Sequence, residues 1–209
     1  MLYYDKQSQQ GWRIAVWHVT EQLDELLDML PDDLSVKNEA REKFKSESRI
    51  LEWTAVRVLL YEMLDRQVDI LYDDDGAPYL HDYEKMDISI SHTTGYVAVG
   101  LAEKGEIGID VEKMDDRVEK VIERFVREDE DAESLNKLLL HWSAKETAFK
   151  MMHRRKVDFI KHLKVHPFEE KDEGSFILQE LKTDDQEHYE IHFKIFPEFV
   201  LTYSIFVDE

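Results

Sequence analysis

Asp110 and Glu112 stand two residues apart in Gly105-Glu106-Ile107-Gly108-Ile109-Asp110-Val111-Glu112, and Glu146 and Lys150 four apart in Trp142-Ser143-Ala144-Lys145-Glu146-Thr147-Ala148-Phe149-Lys150. On a strand, a spacing of two puts both carboxylates on one face, with Ile109 and Val111 on the other. On a helix, a spacing of four puts Glu146 and Lys150 on one stripe. Three carboxylates converging from a strand and a helix repel each other, and one or more takes up a proton. A hard divalent cation removes that conflict: Mg²⁺ prefers oxygen ligands at roughly 2.0–2.1 Å and usually leaves positions to water or substrate phosphates. Lys145 and Lys150 would supply positive charge for such phosphates. Each piece alone has a plain reading, as solvated acids on a strand or a surface Glu146–Lys150 pair worth about 0.5 kcal/mol or less. Together, in this order and spacing, they are far more specific.

These residues need a strand and a helix to hold them. β-Branched Ile107, Ile109 and Val111 alternate with other residues, which predicts the strand, and the apolar-rich run 135–152 predicts the helix. Upstream, residues 13–19 read as a strand, and 21–30 as an amphipathic helix stopped by Pro31 with Leu23, Leu26, Leu27 and Leu30 on one face. One or two helices are expected over 36–64, a turn at 73–78, and two strands around Thr94-Gly95 within 88–101. Asp73-Asp74-Asp75 lacks the rest of an EF-hand pattern and reads as a solvated acidic turn. Downstream, a helix is expected over 115–127, a solvated connection over 128–131, and strands at 162–165, 175–182, 189–196 and 199–207. The helix over 115–127 offers Val118, Val121, Ile122 and Phe125 as a docking stripe or a core-facing one. Arg154-Arg155-Lys156, the one dense basic cluster, is a docking patch or a solvated loop.

The 209 residues can bury a sizeable core, as one domain or two small ones. There is no cysteine, which excludes disulfides and thiolate metal sites and is compatible with a reducing cytoplasm, the expected location. No apolar run approaches membrane-spanning length and the N-terminus lacks a signal-peptide pattern, so no membrane role is expected. Lys and Arg number 27 against 47 Asp and Glu, a formal charge of −20, which argues against a nucleic-acid partner. A faint internal repeat aligns residues 14–19 with 107–112 and 53–57 with 142–146, putting Trp17, Val19 and Arg57 where the second copy has Asp110, Glu112 and Glu146. Only the second copy could hold a cation. The expected class is α+β with two halves, 1–102 and 103–209, in a monomer.

Gly108-Ile109-Asp110-Val111-Glu112 and Trp142-Ser143-Ala144-Lys145-Glu146-Thr147-Ala148-Phe149-Lys150 resemble the signature of the 4′-phosphopantetheinyl transferases. That signature is Gly-(Ile/Val)-Asp-x-Glu followed by (Trp/Phe)-(Ser/Cys/Thr)-x-Lys-Glu-(Ala/Ser)-x-x-Lys, and Thr147 is a mild departure from it. Arg49-x-x-Glu52-Trp53-x-Ala55-x-Arg57 and Ser91-His92 are similar to phosphate-contacting segments of the larger, pseudo-dimeric class, the surfactin-synthetase-activating type. Many relatives have Gly-Lys-Pro where Gly76-Ala77-Pro78 stands here, so one phosphate contact is missing and Lys43 or Lys45 would have to compensate.

The resemblance implies two similar α+β halves related by a pseudo-twofold, with the active site between them. It implies Mg²⁺, or Mn²⁺ in its place, on Asp110, Glu112 and Glu146, with Glu146 and Lys150 catalytic. Coenzyme A, the substrate, would have its phosphates held by Arg49, Ser91, His92, Lys145 and Lys150. The partner would be an acyl or peptidyl carrier protein, whose serine receives the 4′-phosphopantetheine arm as adenosine 3′,5′-bisphosphate leaves. Two other readings stay open: a non-catalytic module binding coenzyme A or carrier protein, and another Mg²⁺-dependent phosphoryl enzyme, although the glycine-rich loop usual in the latter is missing.

Overall fold

The computed structural model describes residues 1–81, 83, 85–152 and 157–207. Arg154-Arg155-Lys156 lies outside the described residues. The architecture is mixed α+β, in two compact units: one spans Met1–Gly105 and takes in Val207, the other spans Glu106–Phe206. No helix of the described residues is long and apolar enough to cross a membrane.

The first unit contains β1 (Leu2–Gln7), β2 (Trp12–His18), α1 (Leu23–Leu27), α2 (Asp33–Lys43), α3 (Glu47–Leu64), β3 (Ile70–Tyr72), β4 (Pro78–Leu80), β5 (Asp87–Thr93) and β6 (Tyr96–Ala102). Its main sheet is antiparallel in the order β1-β2-β6-β5, and β3 and β4 form a separate hairpin. Helix α3 packs on β2 and β6, burying Val56, Leu59, Leu60 and Met63. Each such side chain contributes roughly 1.5–3 kcal/mol relative to exposure. Helix α1 is shorter than the pattern over 21–30 suggested: Gln22 and Glu25 form a capping box that starts it at Leu23, and beyond Leu27 the amides of Met29 and Leu30 turn to the carbonyls three residues back, Leu26 and Leu27. Leu26, Leu27 and Leu30 are still buried. In the triple-aspartate turn, Asp73 Oδ1 accepts hydrogen bonds from the amides of Asp75 and Ala77, both at 2.8 Å. That carboxylate closes the turn locally.

The second unit contains β7 (Glu106–Lys113), a 3₁₀ segment (Asp116–Arg124), α4 (Leu135–Met151), α5 (Phe159–His162), β8 (Leu163–Val165), β9 (Glu173–Glu180), β10 (His188–Ile195) and β11 (Phe199–Phe206). Its sheet is antiparallel in the order β7-β11-β10-β9-β8. The α-helix expected over 115–127 is instead the 3₁₀ segment, with a break at Val121 (φ −129°, ψ 16°). Its apolar residues recur at intervals of three, Val118 to Val121 and Ile122 to Phe125, the repeat at which 3₁₀ side chains eclipse. Ser134 caps α4 by accepting from the Lys137 amide.

Helix α4 runs over β7 and β11 at a distance fixed by one residue. A Cβ at Gly108 would lie 2.4 Å from the Thr147 carbonyl oxygen and 2.8 Å from Met151 Cγ. Gly108 therefore lets the helix backbone approach the strand. Gly108→Ala should destabilise the chain by roughly 2–3 kcal/mol through overpacking. Urea unfolding would read this, and a loss under 0.5 kcal/mol would show that the helix yields without cost.

Candidate active site

Strand β7 and helix α4 place the predicted cluster. Asp110 and Glu112 alternate onto the α4-facing side of β7, as Gly108 does, while Ile109 and Val111 are buried on the other side. Asp110 Oδ1 accepts from Lys150 Nζ at 2.8 Å, and Oδ2 accepts from Ser143 Oγ at 2.8 Å. Lys150 Nζ also donates to the Ile109 carbonyl at 2.8 Å, so the ammonium is fixed against the strand that carries Asp110. Trp142 Nε1 donates to Glu112 Oε1 at 2.6 Å. The indole is itself met edge-on by Phe125, ring centroids 5.3 Å apart, and at a tilt by Phe159 at 5.7 Å.

These carboxylates share one electrostatic neighbourhood. Burial pushes the Glu112 carboxyl up to about 7, with the negative charges of Asp110 and Glu146 adding to the effect and the Trp142 hydrogen bond opposing it. Burial likewise pushes Glu146 up to about 7, with Asp110 adding and Lys150 opposing. Among the described residues, no three His, Asp or Glu side chains are gathered at metal-ligand spacing. The donor set nonetheless suits a hard cation: it is all-oxygen, short of positive charge, and its outer lone pairs are oriented by Ser143 and Trp142. Closing the three carboxylates on one ion would require side-chain movement about Lys150.

Lys145 is a correction. It was expected at substrate phosphates, but its side chain is wholly buried. Nζ pairs with Glu130 Oε1 at 2.8 Å and donates to the carbonyls of Phe125 at 2.5 Å and Phe159 at 3.2 Å. Burial lowers its pKa from the ordinary lysine value, and the charge of Glu130 opposes that shift. Of residues 128–131, Glu128, Asp129 and Asp131 are exposed, as a solvated connection requires, and Glu130 alone departs from that reading. Glu130 also accepts from the amides of Val165 and Arg127, Asp129 pairs with Arg127 and Lys164, and Asp131 pairs with Lys137. Nothing in the sequence separates Glu130 from its acidic neighbours, since its role is set by a lysine fifteen residues away. The apolar residues 118–125 divide: Phe125 is wholly buried and closed to a partner, while Val118, Val121 and Ile122 are half-buried.

In the first unit, Arg49 on α3 and His92 on β5 meet beside a cavity of about 270 Å³, lined also by Phe44, Trp53, Arg57 and Tyr72. Arg49 Nη1 lies 2.6 Å from His92 Nε2. A guanidinium only donates, so Nε2 accepts and the ring proton sits on Nδ1, 3.5 Å from Glu52 Oε2. Arg57 is buried face-on against Trp53, its guanidinium carbon 3.1 Å from the ring centroid. Burial brings its pKa down to about 10. Ser91, next to His92, points to the opposite face of β5 and does not line this cavity. Lys43 pairs with Glu39 at 2.6 Å and lies over the Trp53 and Tyr72 rings, at 5.6 and 6.0 Å.

Residues 106–204, the second unit almost end to end, match the family model described as the 4′-phosphopantetheinyl transferase superfamily. A Synechocystis protein named provisionally as a 4′-phosphopantetheinyl transferase is 32% identical over 111 residues. That alignment takes in 46% of this chain and 45% of the relative, so the chain spans under half the length of the protein it matches.

Two measurements probe this geometry. Glu112 and Glu146 titrate near 7 when folded, against 4.5 for the unperturbed side chain. Between those values the folded chain holds protons that the unfolded chain has released, so stability is lost as pH rises through that window. Glu146→Gln should flatten the slope and be the more stable form at about pH 8, by on the order of 1 kcal/mol. Urea midpoints from about pH 5 to 8 that ran parallel in both proteins would contradict this. Lys145→Met should cost about 3–5 kcal/mol by stranding the Glu130 carboxylate, and adding Glu130→Gln should restore part of it. A lysine serving only external phosphate would show neither effect.

Proposed function

We propose that this chain transfers the 4′-phosphopantetheine arm of coenzyme A to a serine of an apo acyl or peptidyl carrier protein, releasing adenosine 3′,5′-bisphosphate. The observation that supports this most is the set of Asp110, Glu112, Glu146 and Lys150 between β7 and α4, oriented by Trp142 and Ser143 of the same helix. In this reading Asp110, Glu112 and Glu146 hold Mg²⁺, with Mn²⁺ able to replace it. The ion would supply charge neutralisation at the pyrophosphate of coenzyme A.

The protein's own groups divide the remaining work. Lys150 turns its ammonium toward the pyrophosphate and steadies the leaving adenosine 3′,5′-bisphosphate. The carrier serine oxygen bonds to the β-phosphorus as the bond from that phosphorus to the bridging oxygen breaks. Glu146 accepts the serine proton as the general base. Arg49 and His92, beside the aromatic cavity of the first unit, take the remaining phosphate of coenzyme A as charged or hydrogen-bonding donors. Ser91 joins them only through a backbone or side-chain adjustment of β5. The larger pseudo-dimeric class belongs to the same proposal. Each unit runs strand, long helix, then a closing antiparallel pair, β2-α3-β5-β6 in one and β7-α4-β10-β11 in the other, and the last strand of each pairs with its first.

Purified protein with coenzyme A, Mg²⁺ and an apo acyl carrier protein, followed by intact mass, tests the reading. The carrier should gain one phosphopantetheine arm, and chelator or Glu146→Gln should cut the rate by at least about 10²-fold, as expected for loss of a general base. Coenzyme A consumed without an acceptor would indicate a different phosphoryl enzyme. Binding without turnover would indicate a non-catalytic module.

A further inference from the structure

We infer that Thr202 and Thr147 are positioning residues of this carboxylate site, the inner links of a one-way hydroxyl chain that ends on Asp110. The inference deepens the proposed function and rests on it for its catalytic meaning. The four side chains come from three elements: Asp110 on β7, Ser143 and Thr147 on α4, and Thr202 on β11, where it stands opposite Asp110 in the ladder. Ser143 Oγ is 2.8 Å from Asp110 Oδ2 and 2.8 Å from Thr202 Oγ1, and Thr202 Oγ1 is 2.7 Å from Thr147 Oγ1.

Proton counting fixes the direction. A carboxylate only accepts, so the single Ser143 proton goes to Asp110. The Ser143 oxygen must then accept from Thr202, and the Thr202 oxygen must accept from Thr147. The alternative for Thr147 is the Thr202 carbonyl at 3.4 Å, a longer contact. Ser143, Thr147 and Thr202 are all wholly buried, so water does not compete for these protons. Hydroxyls aligned in one sense polarise one another, and the last bond onto the carboxylate strengthens.

The chain also selects a rotamer. A serine inside a helix readily turns to donate to the carbonyl four residues earlier. Thr202 opposes that turn by donating to Ser143 Oγ, which keeps the serine on Asp110 Oδ2 while Lys150 holds Oδ1. Both oxygens of Asp110 are then set in direction before any substrate arrives. Thr147, the residue that departs from the Ala/Ser of the resembling signature, adds the first link. Replacing it removes one donor but leaves Thr202 free to serve Ser143.

The test reads Asp110 directly, in the full chain labelled with ¹³C-aspartate, the Asp110 Cγ resonance being assigned through Asp110→Asn. Thr202→Val keeps the side-chain volume and deletes the hydroxyl. It should move the resonance by more than a linewidth, and Thr202→Ser should return it to the parent position. Thr147→Ala should move it less, in the same direction. In parallel, Mn²⁺ titration by electron paramagnetic resonance should show a dissociation constant raised about tenfold by Thr202→Val and recovered by Thr202→Ser. An Asp110 resonance indifferent to Thr202→Val and to Thr147→Ala overturns the inference, whatever the transfer assay gives. If the parent chain fails to modify a carrier protein while the resonance responds as described, the proposed function falls and the hydroxyl chain stands.

Discussion

Three carboxylates held in a half-buried site are the constraint on which the second unit depends. Loss of hydration, with mutual repulsion adding to it, pushes Glu112 and Glu146 to about 7, so the cluster exists only where other groups oppose that cost. The opposition comes from one helix. Lys150 places an ammonium 2.8 Å from Asp110, Ser143 donates to the other Asp110 oxygen, and Trp142 donates to Glu112. All three sit on α4 and act on β7, so the helix must lie close enough for short side chains to reach. Gly108 provides that closeness, since any Cβ there would strike the Thr147 carbonyl.

The same constraint explains why two lysines of one motif have different fates. Five residues along an α-helix turn the side chain through about 140°, so Lys145 and Lys150 cannot share a face. Lys150 meets the carboxylates. Lys145 turns inward, where Glu130 and two backbone carbonyls take its protons. That buried pair ties the segment after the 3₁₀ turn and the strand β8 to α4, because Glu130 also accepts from Val165. A charge pair sealed from water is costly to break, so it fixes the helix along its axis and not merely against the sheet.

The first unit carries its chemistry differently. Trp17 and Arg57, which the faint sequence repeat would align with acidic positions of the second unit, are packing residues here: Trp17 is buried, and Arg57 lies flat on Trp53. Beside them lies a small cavity with an aromatic wall and a paired Arg49 and His92 at its edge. In a chain of net charge −20, Arg49 is a local positive charge there, with the Glu52 carboxylate 3.4 Å away opposing it.

Residue spacing by itself determined the strand and the helix that carry the acidic motif, while β1 and the β3–β4 hairpin went unread and 115–127 was expected as an α-helix. Alternation at Ile107, Ile109 and Val111 marked the strand, the apolar run ending near Met151 marked the helix, and the spacing of Glu146 from Lys150 put both on one stripe. Local periodicity carries that information because it is written within a few residues. What only the tertiary structure decided is which polar partner each group meets. Glu130 became the mate of Lys145, Thr202 came to stand beside Asp110, Phe125 went inside, and Ser91 turned away from Arg49 and His92. Each outcome depends on ladder register or on contacts between residues distant in the chain, and a single sequence encodes neither at short range.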